Sequence, residues 1–374
     1  NRAPAGGSLN TFANAIREAS VLLGAGFARA WDAVAATGLW LGANSQGEWW
    51  PAAGVAMSSL RRSPLERDAF YVKCDSAGLC RLAWRRQEAR PGEGWPDFSW
   101  SAEPTYLIPS IPVAGTPAIA TTTGRVWAFY RSADGRIGFL NVAPGGGLLG
   151  GNWVAGGSAV TDADVAVTAV NDTVYVFYKS PGPGAQPLLW ARCESEPPVC
   201  SLLGTIPTDA VDHSPITSPY GPAAAGGTSG SWPGTVWIVY GAGSDAVLKV
   251  HLYWADYDVW VFTPNVVGPE LATETGTPGC VKTSPTPDLS IVESPTAVVY
   301  GGSLHVVARV AETMNNSLVL PEFVRGRVPL FAEGMLVYSR ASTPWSRSSW
   351  SRVVPMSPYV RGGAGPRFVA QPDD

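Results

Sequence analysis

Short runs that are apolar at every position recur along this chain directly after tight turns, and they constrain its fold more than any other feature. Residues 125–130 read RVWAFY, with Val126, Trp127, Ala128, Phe129 and Tyr130 apolar in succession. A strand with one solvated face alternates apolar and polar side chains, whereas a strand covered on both faces loses that alternation. The same arrangement of a short strand, a Gly or Asn turn and a wholly apolar second strand recurs. It is found in EASVLLGAGFARAW, SPLERDAFYVK, TPAIATTTGRVWAFY, DVAVTAVNDTVYVFY, SPITSPYG followed by GTVWIVYG, SPTAVVYGGSLHVVAR and SPYVRGGAGPRFVAQ, seven units in all.

The second strands begin near Phe27, Ala69, Arg125, Thr173, Thr235, Leu304 and Arg367, at intervals of roughly 40–70 residues, a range that includes propeller blades. A third strand follows in GRIGFLNV, PLLWARC, LKVHLYW and GMLVYSR, and a Trp-bearing fourth in GNWVAG, DVWVFT and SSWSRVV. Each unit therefore reads as a four-stranded meander. Set radially about an axis, each sheet packs on two neighbours, which covers its inner strands on both sides. The expected fold is all-β: one β-propeller over residues 1–374 with seven four-stranded blades, its ring closed by pairing SLNTFANAIRE with the two-stranded C-terminal unit. Six blades are the alternative, because residues 9–31 also suit an amphipathic helix. A pair of β-sandwiches would keep the alternation that TVYVFY and TVWIVY lack. The 42 Gly and 33 Pro residues suit many tight turns.

A net charge of −4 without a Lys/Arg-rich run excludes a nucleic-acid partner. The longest apolar tract, SVLLGAGFARAWDAVAATGLWLGA, carries Arg29, Asp32 and four glycines, which argues against a membrane span. Cys74 and Cys80, and Cys193 and Cys200, are spaced as disulfides across hairpin turns, contributing roughly 2 kcal/mol each in a chain-entropy model; Cys280 is left over. Such bonds imply an oxidising compartment, and the Asn1 start without a leader suits a mature secreted chain. Zinc is disfavoured, since neither pair is CxxC and His213, His251 and His305 are scattered. Asn171 and Asn315 head N-x-S/T sequons.

The connections TDADV, PTDAVDHSP and PTPDLSIVESP enter units four, five and six, placing Asp162, Asp164, Asp209, Asp212, His213, Asp288 and Glu293 along one arc of one face. Clustered carboxylates serve as acid/base groups or bind a hard cation. Were the chain a glycoside hydrolase or polysaccharide lyase, Asp209, Asp212, Asp162 and Glu293 would be its catalytic candidates. Were it to hold Ca²⁺, Asp162, Asp164 and Asp212 would be the ligands. The plainer alternative is that these residues cap turns. No GxSxG, HExxH, P-loop or EF-hand pattern is present, and no other cofactor is implied.

Tryptophans on the outer strands are the second lead: Trp50, Trp100, Trp153, Trp260 and Trp350 could offer indole faces to sugar rings while neighbouring Arg, Asp or Asn groups bond the hydroxyls. Packing between blades is the alternative for each. The segment GRVWAFYRSADGRIGFLNVAPGGGLLGGNWVAG resembles one repeat of the fungal and bacterial fucose-binding propeller lectins, in which a D-G turn leads to a strand and then to a Trp after a glycine-rich gap. The resemblance implies that Arg125 and Trp153 contact sugar; Gly138 and Phe139 stand where that family has its acidic residue. It implies a secreted, non-enzymatic, lectin-like propeller with glycans or glycoproteins as partners. Unit six carries an insertion, 310–334, whose Leu318, Val319, Leu320, Phe323, Val328, Leu330 and Phe331 would cover the acidic face or, across 311–333, meet a protein partner. In the latter case the chain would be a structural or adhesion subunit of an extracellular assembly.

Overall fold

The computed structural model describes residues 56–59, 67–75, 77–89, 98–100, 105–108, 110–143, 147–195, 198–207, 215–227, 233–261, 281–282, 290–309, 318–319, 336–344, 349–350 and 354–357. Among them, the five middle units each form a four-stranded antiparallel meander. The first comprises β1 (Ala56–Ser59), β2 (Arg67–Cys74), β3 (Cys80–Ala89) and β4 (Phe98–Trp100), with β5 (Thr105–Tyr106) extending the edge along β3. The second comprises β6 (Val113–Thr122), β7 (Arg125–Ser132), β8 (Ile137–Val142) and β9 (Leu148–Trp153). The third comprises β10 (Ala166–Val170), β11 (Thr173–Lys179), β12 (Gln186–Ser195) and β13 (Pro198–Thr205), with β14 (Thr217–Ser218) also on β12. The fourth comprises β15 (Ala223–Gly227), β16 (Thr235–Ala242), β17 (Val247–Trp254) and β18 (Val259–Val261). A two-stranded pair joins β19 (Val281–Lys282) to β22 (Leu318–Val319), and the fifth sheet comprises β20 (Thr296–Tyr300), β21 (Ser303–Arg309), β23 (Leu336–Ala341) and β24 (Val354–Ser357).

The loss of alternation in the second strands has a direct cause. In β7, Val126, Ala128 and Tyr130 join Phe70, Val72 and Leu82 of the first sheet in one core, while Trp127 and Phe129 join Val174 and Val176 of the third sheet in another. In β11, Val174, Val176 and Tyr178 face the second sheet, and Tyr175 and Phe177 meet Val236 and Ile238 of the fourth. In β16, Val236, Ile238 and Tyr240 face the third sheet, while Trp237 and Val239 meet Leu304, Val306 and Ala308 of the fifth. Odd and even residues of one strand thus belong to different cores. Four cores lie between five sheets, and each fully buried side chain contributes about 1.5–3 kcal/mol. This is face-to-face stacking of consecutive four-stranded meanders, which resemble propeller blades and are called blades below.

Turn chemistry sets the hairpins. Asn171 and Asp172 both take positive φ, 50° and 60°, the backbone twist that a two-residue hairpin requires and that Asn and Asp tolerate. The first strands crowd together: β6 lies beside β10, β10 beside β15, and β15 beside β20. Small residues make this possible, since β15 reads Ala-Ala-Ala-Gly-Gly. A Cβ at Gly226 would stand 2.8 Å from Ala169 O, Thr168 Oγ1 and Val170 Cγ2. Gly226→Ala is therefore expected to cost about 1–3 kcal/mol of stability through overpacking, read by urea denaturation. An unchanged midpoint would contradict the close approach of β10 and β15.

Two sequence readings are corrected in detail. SPITSPYG does not supply the first strand of the fourth sheet: Thr217 and Ser218 pair with Pro187 and Gln186 of the third sheet, and the first strand is Ala223–Gly227. Pro215, Pro219 and Pro222 lack the N–H that a ladder needs. Likewise, the partner of DAFYVK lies upstream of Ser63-Pro64, at Ala56–Ser59. The disulfides Cys74–Cys80 and Cys193–Cys200 are both formed. No helix of the described residues is long and apolar enough to cross a membrane. The first and last units, the possible helix at 9–31, ring closure, Cys280 and nearly all of the 310–334 insertion lie outside the described residues.

Candidate functional site

The connections between sheets meet the turns between second and third strands at one end of the blades, the end where the acidic arc was expected. There Asp162 accepts from the Lys179 ammonium at 2.7 Å and from the Gly182 N–H at 3.0 Å. Glu293 accepts from Arg309 Nε at 2.7 Å. Lys179 and Arg309 are the last residues of β11 and β21, the second strands of two blades. In both blades, then, a carboxylate in the entering connection clamps the buried cation at the end of the second strand. Asp164 accepts from the Thr116 N–H at 2.9 Å, from the first strand of the neighbouring blade.

These partners decide what the carboxylates do. Partial burial works to raise the Asp162 pKa, but Lys179 and the Gly182 N–H outweigh it and the net shift is downward. Asp162 is thereby held in an ion pair with Lys179. Among the described residues no group of three His, Cys, Asp or Glu side chains is placed to hold a metal. Asp209, Asp212, His213 and Asp288 lie outside the described residues. The Lys179 side chain is only 4% exposed and would keep the Gly182 O contact at 2.8 Å, while Asp162 is itself 46% exposed, so Asp162→Ala is expected to cost about 1–2 kcal/mol. Adding Lys179→Met should recover most of that loss in a double-mutant cycle; simple additivity would show that the pair is uncoupled.

At the rim of the second blade an aromatic row crosses the sheet. Tyr130 of β7, Gly138 of β8 and Trp153 of β9 are register partners in turn. Gly138 leaves the space that the Tyr130 ring occupies, since a Cβ there would overlap it. The Tyr130 ring meets the Trp153 indole edge-on at 5.9 Å, and burial pushes its phenol up to about 12. Over the indole lies the Arg136 guanidinium, 4.3 Å from the ring centroid. Arg136 Nε in turn bonds Asp134 Oδ2 at 2.7 Å, and the Ser132 hydroxyl donates to the same carboxylate. The Ser132 hydroxyl first and Arg136 next hold the Asp134 carboxyl below its usual range. Arg136 and Asp134 remain about half exposed. Guanidinium and carboxylate thus share one accessible corner with an indole that is half-buried, packed against the core between the first and second sheets and covered on one face by Arg136.

Arg125 is not part of it. It opens β7 beside Thr122, five residues from Tyr130, which along a strand is about 17 Å. Trp260 is braced by Trp190 at 5.1 Å, Tyr253 at 5.1 Å and His251 at 5.2 Å, so it packs between the third and fourth blades. Trp350 is buried in the core between the fourth and fifth blades and donates its N–H to Pro344 O at 3.1 Å. Trp100 ends β4 opposite Gln87, and Trp50 lies outside the described residues. Sequence reasoning passed over Arg136; the D-G turn that precedes it was the visible signal, whereas the register that sets Gly138 opposite Trp153 was not.

No family model and no curated protein matches the chain. Among solved structures it is similar to the fucose-recognising fungal lectin of Aleuria aurantia, a six-bladed β-propeller, at 12% identity over 82% of this chain and 79% of that chain, with a TM-score of 0.43. It is similar to AofleA from Arthrobotrys oligospora at 10% identity over 83% and 73%, with a TM-score of 0.44. It is also similar to a GH43_1 enzyme from Xanthomonas citri at 11% identity over 70% and 82%, with a TM-score of 0.39. At these overlaps the likenesses assign neither blade number nor ligand.

Proposed function

We propose that the chain is a secreted, non-enzymatic carbohydrate-binding propeller that takes glycans at shallow sites on its rim, one of them formed by Trp153, Arg136 and Asp134. The observation that supports this most is the accessible corner at Trp153. An indole presents an apolar face to the C–H side of a sugar ring, and a fixed guanidinium–carboxylate pair offers both donors and acceptors to hydroxyls. The carboxylates once considered as catalytic are, where described, tied to cations, which favours binding over hydrolysis. Each site is weak alone, and several on one ring gain strength together on a glycan-coated surface. The two disulfides support an oxidising compartment.

The ring itself belongs to the same reading: the five described blades are consecutive members of a seven-bladed propeller spanning 1–374. The outward faces of the two end sheets support further blades. Ala69, Tyr71 and Ala83 on the first, and Thr296 and Val307 on the fifth, are buried although they point away from the four described cores.

A glycan array probed with the folded chain, followed by calorimetry on the best sugars, tests the function. Binding is expected, with Trp153→Ala and Arg136→Ala each weakening it about tenfold or more, the effect of one lost stacking or charged contact. A folded chain that binds no glycan contradicts the proposal.

A further inference from the structure

The opposite end of the fourth blade carries a feature that packing does not explain. Trp254, the last residue of β17, and Tyr257, in the turn to β18, are 40% and 66% exposed. Their rings meet edge to face at 4.7 Å, and neither belongs to any of the four cores. Packing at this end is supplied by other rings, those of Trp190, Tyr253 and Trp260. Two large aromatic side chains at a turn tip, edge to face and wet, form a platform rather than a core.

Two carboxylates are built into the same turn. Asp256 Oδ1 accepts from Asn171 Nδ2 of the third blade at 2.6 Å, and its carboxylate lies where a Cβ on Gly234 would stand. Asp258, held at φ 54°, accepts from the Tyr253 hydroxyl and lies 4.0 Å from Arg192 Nη1. Each carboxylate is therefore positioned by the protein, while the Asp258 side chain remains 70% exposed. Within the turn are two carboxylates, and among the described residues the ion pair they make is that of Asp258 with Arg192, which is itself partly exposed.

We infer that Trp254, Tyr257, Asp256 and Asp258 form a second ligand site, for a protonated amino sugar such as the 2-amino-2-deoxyhexose units of a deacetylated polysaccharide. The inference rests on the carbohydrate-binding reading of the chain and assigns a substrate class to a separate rim. The C–H face of the pyranose lies on Trp254, and the ammonium is attracted by the aromatic faces and the fixed carboxylates together. A neutral sugar would gain the stacking without the charge, and an anionic sugar would be repelled.

Calorimetric titration with oligomers of 2-amino-2-deoxyglucose, their N-acetylated counterparts and neutral gluco-oligomers tests it. The amino oligomers are expected to bind at least tenfold more tightly than the other two, less so at high salt. Trp254→Ala and the pair Asp256→Asn with Asp258→Asn should each lower that affinity tenfold or more, whereas Trp153→Ala should leave it unchanged. Because Trp254 is exposed, Trp254→Ala should melt like the parent, and thermal melts of both variants separate any loss of the Asn171–Asp256 and Tyr253–Asp258 contacts from loss of binding. Equal binding of all three oligomers, or indifference to Trp254→Ala, overturns the site. Loss through Trp153→Ala alone would move the binding to the second blade, overturning this inference and leaving the proposed function intact. Capture of Lys-rich peptides in place of amino sugars would also overturn it, and silence with every glycan overturns both.

Discussion

Trp127→Ala is expected to lower the unfolding free energy by about 3–5 kcal/mol, the range for a fully buried large aromatic truncated in a core that only partly collapses. Trp127 has no exposed surface. Its ring packs beside Phe139 at 5.2 Å and Phe129 at 6.2 Å, and its N–H donates to Thr122 Oγ1 at 3.0 Å. Truncation opens a cavity between the second and third blades and also leaves the buried Thr122 hydroxyl without its donor. Trp153→Ala, at the half-buried rim, should cost much less. Urea denaturation of the two variants beside the parent reads the difference. Equal losses would mean that the interior of the stack and its rim are not distinguished in the way the cores require.

Acidification is the second large effect. His251 is 4% exposed and packs against Trp260, and burial lowers its pKa from 6.5 to about 4. The folded state therefore keeps the imidazole neutral where the unfolded chain binds a proton. The sign follows: the contribution is complete above about pH 6.5 and is lost progressively as pH falls towards 4, below which both states are protonated. A displacement of this size corresponds to roughly 3 kcal/mol across the window. His305 shifts in the same direction, chiefly through burial, and adds to the trend. Chemical denaturation between pH 7 and 4 should show the parent losing this stability and His251→Gln losing clearly less. An identical slope in the variant would assign the acid sensitivity elsewhere.

Much of the architecture was legible because burial leaves a mark on composition. A strand such as 125–130 cannot be apolar at five consecutive positions unless both of its faces are covered, and TVYVFY and TVWIVY repeat the message. What the pattern withholds is the partner: nothing local says that Trp127 faces Val174 while Val126 faces Phe70. First strands were harder. SPITSPYG looks like a strand opening, but its prolines make it a connector, and the true first strand is a run of Ala and Gly whose smallness reflects crowding between β10 and β20.

The sites were legible by residue type and not by geometry. Trp153 was visible after its glycine-rich gap, but its cation depends on register. Gly138 lies opposite Trp153, which brings Arg136 to the indole, whereas Arg125 stands at the far end of β7. Asp162 and Glu293 were visible as acids, yet their meaning lay in Lys179 and Arg309, which sit 17 and 16 residues downstream at the ends of hairpin strands. Trp254 and Tyr257 escaped notice because a short Trp-bearing strand, DVWVFT, drew attention to Trp260, the packed member of the group.

Thiol accessibility along β7 tests the stacked-blade claim most directly. In a background with Cys280 replaced by Ser, Cys is placed in turn at positions 126, 127, 128, 129 and 130, and the rate of native-state labelling is measured against the unfolded chain. All five positions are expected to be strongly protected, with no period of two, because even and odd residues face different neighbouring sheets. Prompt labelling at 126, 128 and 130 with protection at 127 and 129, or the reverse, would show one face of the strand open to water and contradict the arrangement.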